Sequence, residues 1–147
     1  MREILRRRYL TMVIPVVFLF GTLYLLYGMG ILSHGRFQPP PFWYPVLFTL
    51  AAATGVAGPI LIRTLFANVS KGKKQVAAED FLLFWKNILH ISLITPYFAF
   101  TAVFCEFPEF YSGGMVLMAL YALYYSYPSV DRISFDRKIF RVEESEQ

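Results

Sequence analysis

A single cysteine, Cys105, among 147 residues excludes an intrachain disulfide and any chemistry that needs a pair of thiols. Histidine is almost as scarce, with His34 and His90 alone. His34 lies beside a proline-rich loop, so a bis-histidine haem within the apolar stretches lacks its second ligand. None of the ten acidic residues falls deep inside an apolar stretch. The membrane-buried carboxylate that a small proton-coupled exporter needs is therefore missing. No His/Cys/Asp/Glu cluster has metal-ligand spacing and no glycine loop could cradle a phosphate, so neither metal nor cofactor is expected. Ser112-Gly113-Gly114 looks like a fragment of a hydrolase turn, but no histidine base is placed to activate the serine. An enzyme is not expected, and nucleic acid is not expected as a partner.

Charge is also sparse. Asp, Glu, Lys and Arg make up 16% of the chain, where a soluble domain carries about 25%. Hydrophobic residues make up 56% and lie in four long blocks. A spanning helix needs roughly 20 mostly apolar residues, because the hydrocarbon layer is about 30 Å thick and each residue rises about 1.5 Å. The blocks predict helices at about 9–32, 43–66, 81–104 and 108–127. A soluble bundle would carry a polar stripe on every helix, and these blocks are apolar nearly all round. The first block is longer than a signal peptide's apolar core and has no clean cleavage site, so it reads as a retained helix. The expected fold is all-α: an integral membrane four-helix bundle over 1–128, followed by a short basic and aromatic tail over 129–147.

Orientation follows from where Lys and Arg fall, since short basic loops resist translocation. Arg2, Arg6, Arg7 and Arg8 open the chain. Arg63, Lys71, Lys73 and Lys74 mark the middle connection, and Arg132, Arg137, Lys138 and Arg141 mark the tail. The opposite side has Arg36 alone, and Lys86 sits within the third block. Both termini and the middle loop are therefore expected in the cytoplasm, in a plasma (inner) membrane. Two short loops face outward, one stiffened by Pro39-Pro40-Pro41. The glycosylation pattern at Asn68–Ser70 then lies on the wrong side to be used. Phe42, Trp43, Tyr44, Phe107, Phe110 and Tyr111 would form an outer aromatic belt, and Tyr9, Trp85, Tyr124, Tyr125 and Tyr127 an inner one.

Small residues should hold the helices together, because lipid is as apolar as leucine and close backbone contact must do the work. Ala51 with Gly55, and Thr54 with Gly58, lie four apart on the second helix. This helix is expected at the centre, kinked by Pro59. Gly21 and Gly28 share a face of the first helix. A second proline, Pro96, should bend the third helix near mid-membrane.

The third helix carries the one notable polar set. Lys86, His90, Tyr97 and Thr101 fall on one stripe, with Asn87 at its edge. Tyr121 and Tyr125 of the fourth helix reach a similar depth. Lys86, Asn87, His90, Tyr97, Tyr121 and Tyr125 are thus the candidate lining of a polar pocket open to the cytoplasm. Two readings of it differ. Lys86 could carry its ammonium back to the headgroups while His90 bonds neutrally to a neighbour, or the set could bind a ligand or handle protons. The tail over 129–142 fits helical or strand spacing equally well. Its Arg132, Arg137 and Lys138, with Arg6, Arg7 and Arg8, are expected to meet anionic lipid headgroups. Residues 143–147 are expected to be disordered.

The leading functional expectation is a non-enzymatic membrane protein, working as a homo-oligomer or as an accessory subunit of a larger membrane complex. The alternative is a small transporter or channel built round the stripe on the third helix. A lipid-directed enzyme would further require Lys86, His90 and a tyrosine within hydrogen-bond reach of one another.

Overall fold

A computed structural model describes residues 1–32 and 38–142. The expectations for His34, Arg36 and the last five residues lie outside the described residues. A backbone that leaves water must bond to itself, and helices achieve this within one segment. The described residues hold no strand, only an isolated bridge between Val76 and Val142. We label the helices α1 (Arg2–Gly28), α2 (Trp43–Ser70), α3 (Ala78–Phe104), α4 (Glu109–Ser126) and α5 (Val130–Phe140). Helices α1, α2 and α3 are long and apolar enough to cross a membrane. Helix α4 has 18 residues, among them Tyr111, Tyr121, Tyr124 and Tyr125, which lower its hydropathy.

Both predicted proline sites disturb their helices. Pro59 has no N–H to offer the carbonyl four residues earlier. Helix α2 responds with a π turn over Ala53–Ala57, directly before Pro59. Pro96 acts likewise on α3: the helix breaks at Leu93 and Ile94 and restarts at Thr95, where the Tyr97 amide donates to Ile94 at 3.0 Å. The two irregular turns face each other. The Thr54 and Thr95 hydroxyls lie 2.9 Å apart, joined by a hydrogen bond. A Cβ added to Gly55 would stand 2.9 Å from Thr95 Oγ1, and one added to Gly58 would stand 2.5 Å from Ile91 Cγ2. Ala51, fully buried, packs with Ala99 and Ala102 of α3. Gly114 of α4 meets the Phe48 ring of α2, while Gly21, Gly28 and Gly113 face open space.

The centre of the bundle is α3, not α2. Of the most apolar window of each helix, 44% is buried in α3, 17% in α2 and 11% in α1. The physical reason lies in α3 itself. Its break exposes backbone, and Ser92 and Thr95 there are fully buried, so neighbours must cover that stretch on all sides. Helix α1 buries Leu5, Tyr9, Val16 and Leu23; the Tyr9 hydroxyl donates to the Leu123 carbonyl of α4 at 3.1 Å, and the Tyr97 hydroxyl of α3 donates to the Met12 carbonyl at 3.0 Å.

The tail resolves into helix. Ser129 caps α5, its hydroxyl accepting from the Arg132 amide at 3.3 Å, and Arg141 ends it in a left-handed conformation, φ 50°. Helix α5 docks against the bundle by Phe140, whose ring lies 5.0 Å from Phe66 and 5.6 Å from Phe84. The Val76 amide donates to the Arg141 carbonyl at 3.2 Å.

Candidate functional site

Charge gathers where α5 closes the end of the bundle. Asp136 shares the inner face of α5 with Ile133 and Phe140, and its side chain is 4% exposed. A bare carboxylate buried there would be costly, and Arg63, the one charge in the apolar part of α2, meets it. Arg63 Nη2 donates to Asp136 Oδ1 in an ion pair, and Nη1 donates to the Tyr125 hydroxyl of α4 at 3.3 Å. Arg132 turns back toward the C-terminal end of α4. Its Nη1 donates to the carbonyls of Tyr124, at 3.1 Å, and Tyr125, and its guanidinium lies 5.0 Å and 5.4 Å from their ring centres. The last carbonyls of a helix carry negative partial charge, which is why a guanidinium settles there.

These groups enclose a cavity of about 190 Å³ with Trp85, Ile88 and Phe135. Burial pushes the Asp136 carboxyl above the usual carboxylate range, while Arg63 and Arg132 pull it back. Trp85 is buried in the core and not at the inner aromatic belt, and its Nε1–H has no partner there. The arrangement ties α2, α4 and α5 together. Its single carboxylate is committed to a cation, and the ion pair latches α5 to α2.

The six candidate pocket residues do not surround one cavity. Asn87 lines a cavity of about 470 Å³ beside α2, together with Lys73 and Asp80. His90 lines another, of about 480 Å³, with Arg7, Arg8 and Thr11 of α1. Tyr125 lines the latch cavity. Tyr121 is exposed, stacked on Tyr125 with ring centres 5.7 Å apart. Lys86 is half-buried and Tyr97 is committed to Met12. Because α3 is central, its polar stripe is divided between the α1 and α2 interfaces. The tyrosines that hydrogen-bond in this region are engaged elsewhere than on Lys86 or His90: Tyr9 donates to Leu123, Tyr97 donates to Met12, and Tyr125 accepts from Arg63.

Of the expected lipid-facing cations, Arg6, Arg7, Arg8 and Lys138 are exposed, Arg137 is half-buried and Arg132 is engaged on α4. At the opposite end of the bundle, Tyr27 donates to Glu106 at 3.2 Å. The ring centres of Tyr44 and Phe107 there lie 4.7 Å apart. Cys105 is half-buried there, and burial pushes its thiol upward, away from reactive thiolate.

Asp136 was not among the residues that sequence reasoning singled out. A signal existed: a lone arginine in an apolar helix demands a counter-charge, and α5 carries Asp131 and Asp136. Comparison with protein-family models, with curated proteins and with solved structures returns no match.

Proposed function

We propose that the chain is a four-span membrane protein with both termini in the cytoplasm, serving as a non-enzymatic accessory subunit of a larger membrane complex or as a homo-oligomer. The observation that carries this reading is the bareness of α1. Only 11% of its most apolar window is buried, and Ile14, Val17, Phe18 and Leu25 are each at least 60% exposed. One stripe of α1 grips α3, and the rest needs lipid or another membrane helix to cover it.

Other features agree with insertion. Thr11, Thr22, Thr49 and Thr64 are exposed on apolar helices, and each hydroxyl donates to the carbonyl four residues earlier at 2.8 to 2.9 Å. Such internal bonding is what a lipid-facing hydroxyl requires. With 18 residues, α4 spans about 27 Å at about 1.5 Å per residue, close to the hydrocarbon thickness. Arg6–Arg8, Arg63, Lys86 and α5 gather at one end and Glu106 and Glu109 at the other, the polarity that places the basic end inside. The cavity shared by Arg7, Arg8 and His90 brings His90 to the level of the basic start of α1. This supports a depth near the headgroups for His90 and Lys86.

Topology is tested with single cysteines in a Cys105→Ser background. Gln38→Cys is expected to react with an impermeant reagent applied from outside, and Gly72→Cys to react only after lysis; the reverse pattern overturns the orientation. Function is tested by gentle extraction at native expression, sizing, and mass spectrometry of what co-purifies. A stoichiometric foreign subunit or a defined homo-oligomer is the expected outcome, and a bare monomer sinks the proposal. A conducting assembly round Lys86 and His90 is the weaker reading, since Asn87, His90 and Tyr125 open onto separate cavities.

A further inference from the structure

The cleft between α1 and α3 is lined by Ile4, Arg7, Arg8, Thr11, Met12 and His90, around about 480 Å³. Its polar lining is one-sided. Among the described residues, two guanidiniums and an imidazole line it and no carboxylate does. The Thr11 hydroxyl spends its proton on the Arg7 carbonyl at 2.8 Å, so the donors left for a ligand are Arg7, Arg8 and the His90 ring. Lys86 stands one turn before His90 on the same face of α3, adding a further cation nearby. On α1, the acid closest in sequence is Glu3, one turn before Arg7, and it is exposed and outside the lining.

We propose that this cleft binds the phosphate of an anionic phospholipid. Guanidiniums match phosphate oxygens in pairs, and two adjacent arginines with a third donor from a facing helix can enclose one phosphate from two sides. Ile4 and Met12 are the apolar part of the lining, suited to the glycerol and acyl ends that a free ion lacks. Basic pockets between membrane helices on the cytoplasmic side are where lipid phosphates dock. The site rests on the membrane reading above, and it gives the α1–α3 interface a ligand.

The test uses the full chain purified in mild detergent and titrated with phosphatidylglycerol, with bound lipid counted by native mass spectrometry. Arg7→Gln with Arg8→Gln is expected to weaken the tightest binding step roughly tenfold or more. The pair Arg137→Gln with Lys138→Gln removes the same charge from the same end of the bundle and is expected to change that step about twofold at most. Equal losses in the two pairs mean diffuse attraction and overturn the site. If the arginine pair fails to fold, His90→Gln decides alone: about threefold weakening is expected from a lost donor to phosphate, and none overturns the proposal. Inorganic phosphate in excess is expected not to displace the lipid; full displacement makes the ligand a soluble phosphate and refutes the lipid. Alkaline carbonate separates the two levels. Release of the protein from membranes refutes the membrane reading itself, whereas retention with unchanged lipid binding refutes the cleft alone.

Discussion

Arg63→Leu is expected to lower stability by about 3 kcal/mol, because it leaves a nearly buried carboxylate without its ion-pair partner. The Asp136 side chain is 4% exposed while Arg63 is 36% exposed, and this difference makes the two single variants unequal. In Asp136→Leu the orphaned guanidinium still reaches solvent and keeps Tyr125, so the cost there is about 1 to 2 kcal/mol. The double variant Arg63→Leu with Asp136→Leu should recover most of the loss, since apolar groups of similar volume can replace a buried ion pair with little change. Thermal unfolding in detergent measures the order. Trypsin cleavage after Arg137 and Lys138 reports whether α5 has come away, with Arg63→Leu cut fastest. Three variants of equal stability would show that the pair does not hold α5.

The second large effect lies at the centre of the bundle. Gly55→Leu is expected to cost at least about 3 kcal/mol, because overpacking a filled interface alone costs roughly 1 to 3 and a leucine extends well beyond Cβ. Even a single added carbon would meet Thr95 Oγ1 at 2.9 Å and Cγ2 at 3.0 Å. Thr95 cannot step aside: it is fully buried, β-branched and hydrogen-bonded to Thr54. Gly55→Ala should therefore be milder, and partly rescued by Thr95→Ala, which removes the opposing atoms. Gly113→Ala is the control. It meets nothing within 4 Å, so it should stay within about 0.5 kcal/mol of the parent or gain slightly from helix propensity. A tolerated Gly55→Leu would mean that α2 and α3 do not approach as described.

What the sequence made legible was what local pattern controls. The first three apolar blocks overlap α1, α2 and α3, the helices long and apolar enough to cross a membrane, although α1 runs from Arg2 to Gly28 and so starts and ends earlier than its block. Pro59 and Pro96 marked the interrupted turns, since a missing N–H is a local fact. The partners were not legible. Arg63 and Asp136 are 73 residues apart, and no periodicity links them. The tail's spacing fitted helix and strand alike until its environment decided. Ser129 as cap and Phe140 against Phe66 and Phe84 favour the helix. Helical spacing puts the polar residues of α3 on a stripe, yet a stripe does not say how many neighbours divide it. With α3 central, His90 fell to α1 and Asn87 to α2. The second helix looked central because its small residues were conspicuous; it does pack on both α3 and α4, but α3 is more buried than α2.

The docking of α5 also sets an order of events. Every group it engages (Arg63, Phe66, Val76, Phe84 and the end of α4) belongs to chain made before it. Synthesis proceeds from the N-terminus, so the earlier helices must wait on the ribosome with Arg63 uncovered until α5 emerges. The charge in α2 lacks its counter-charge during this interval, and its long stem can carry the guanidinium to water. The latch cannot close before α5 is made. A nascent chain stalled before Asp136 would carry an unlatched bundle.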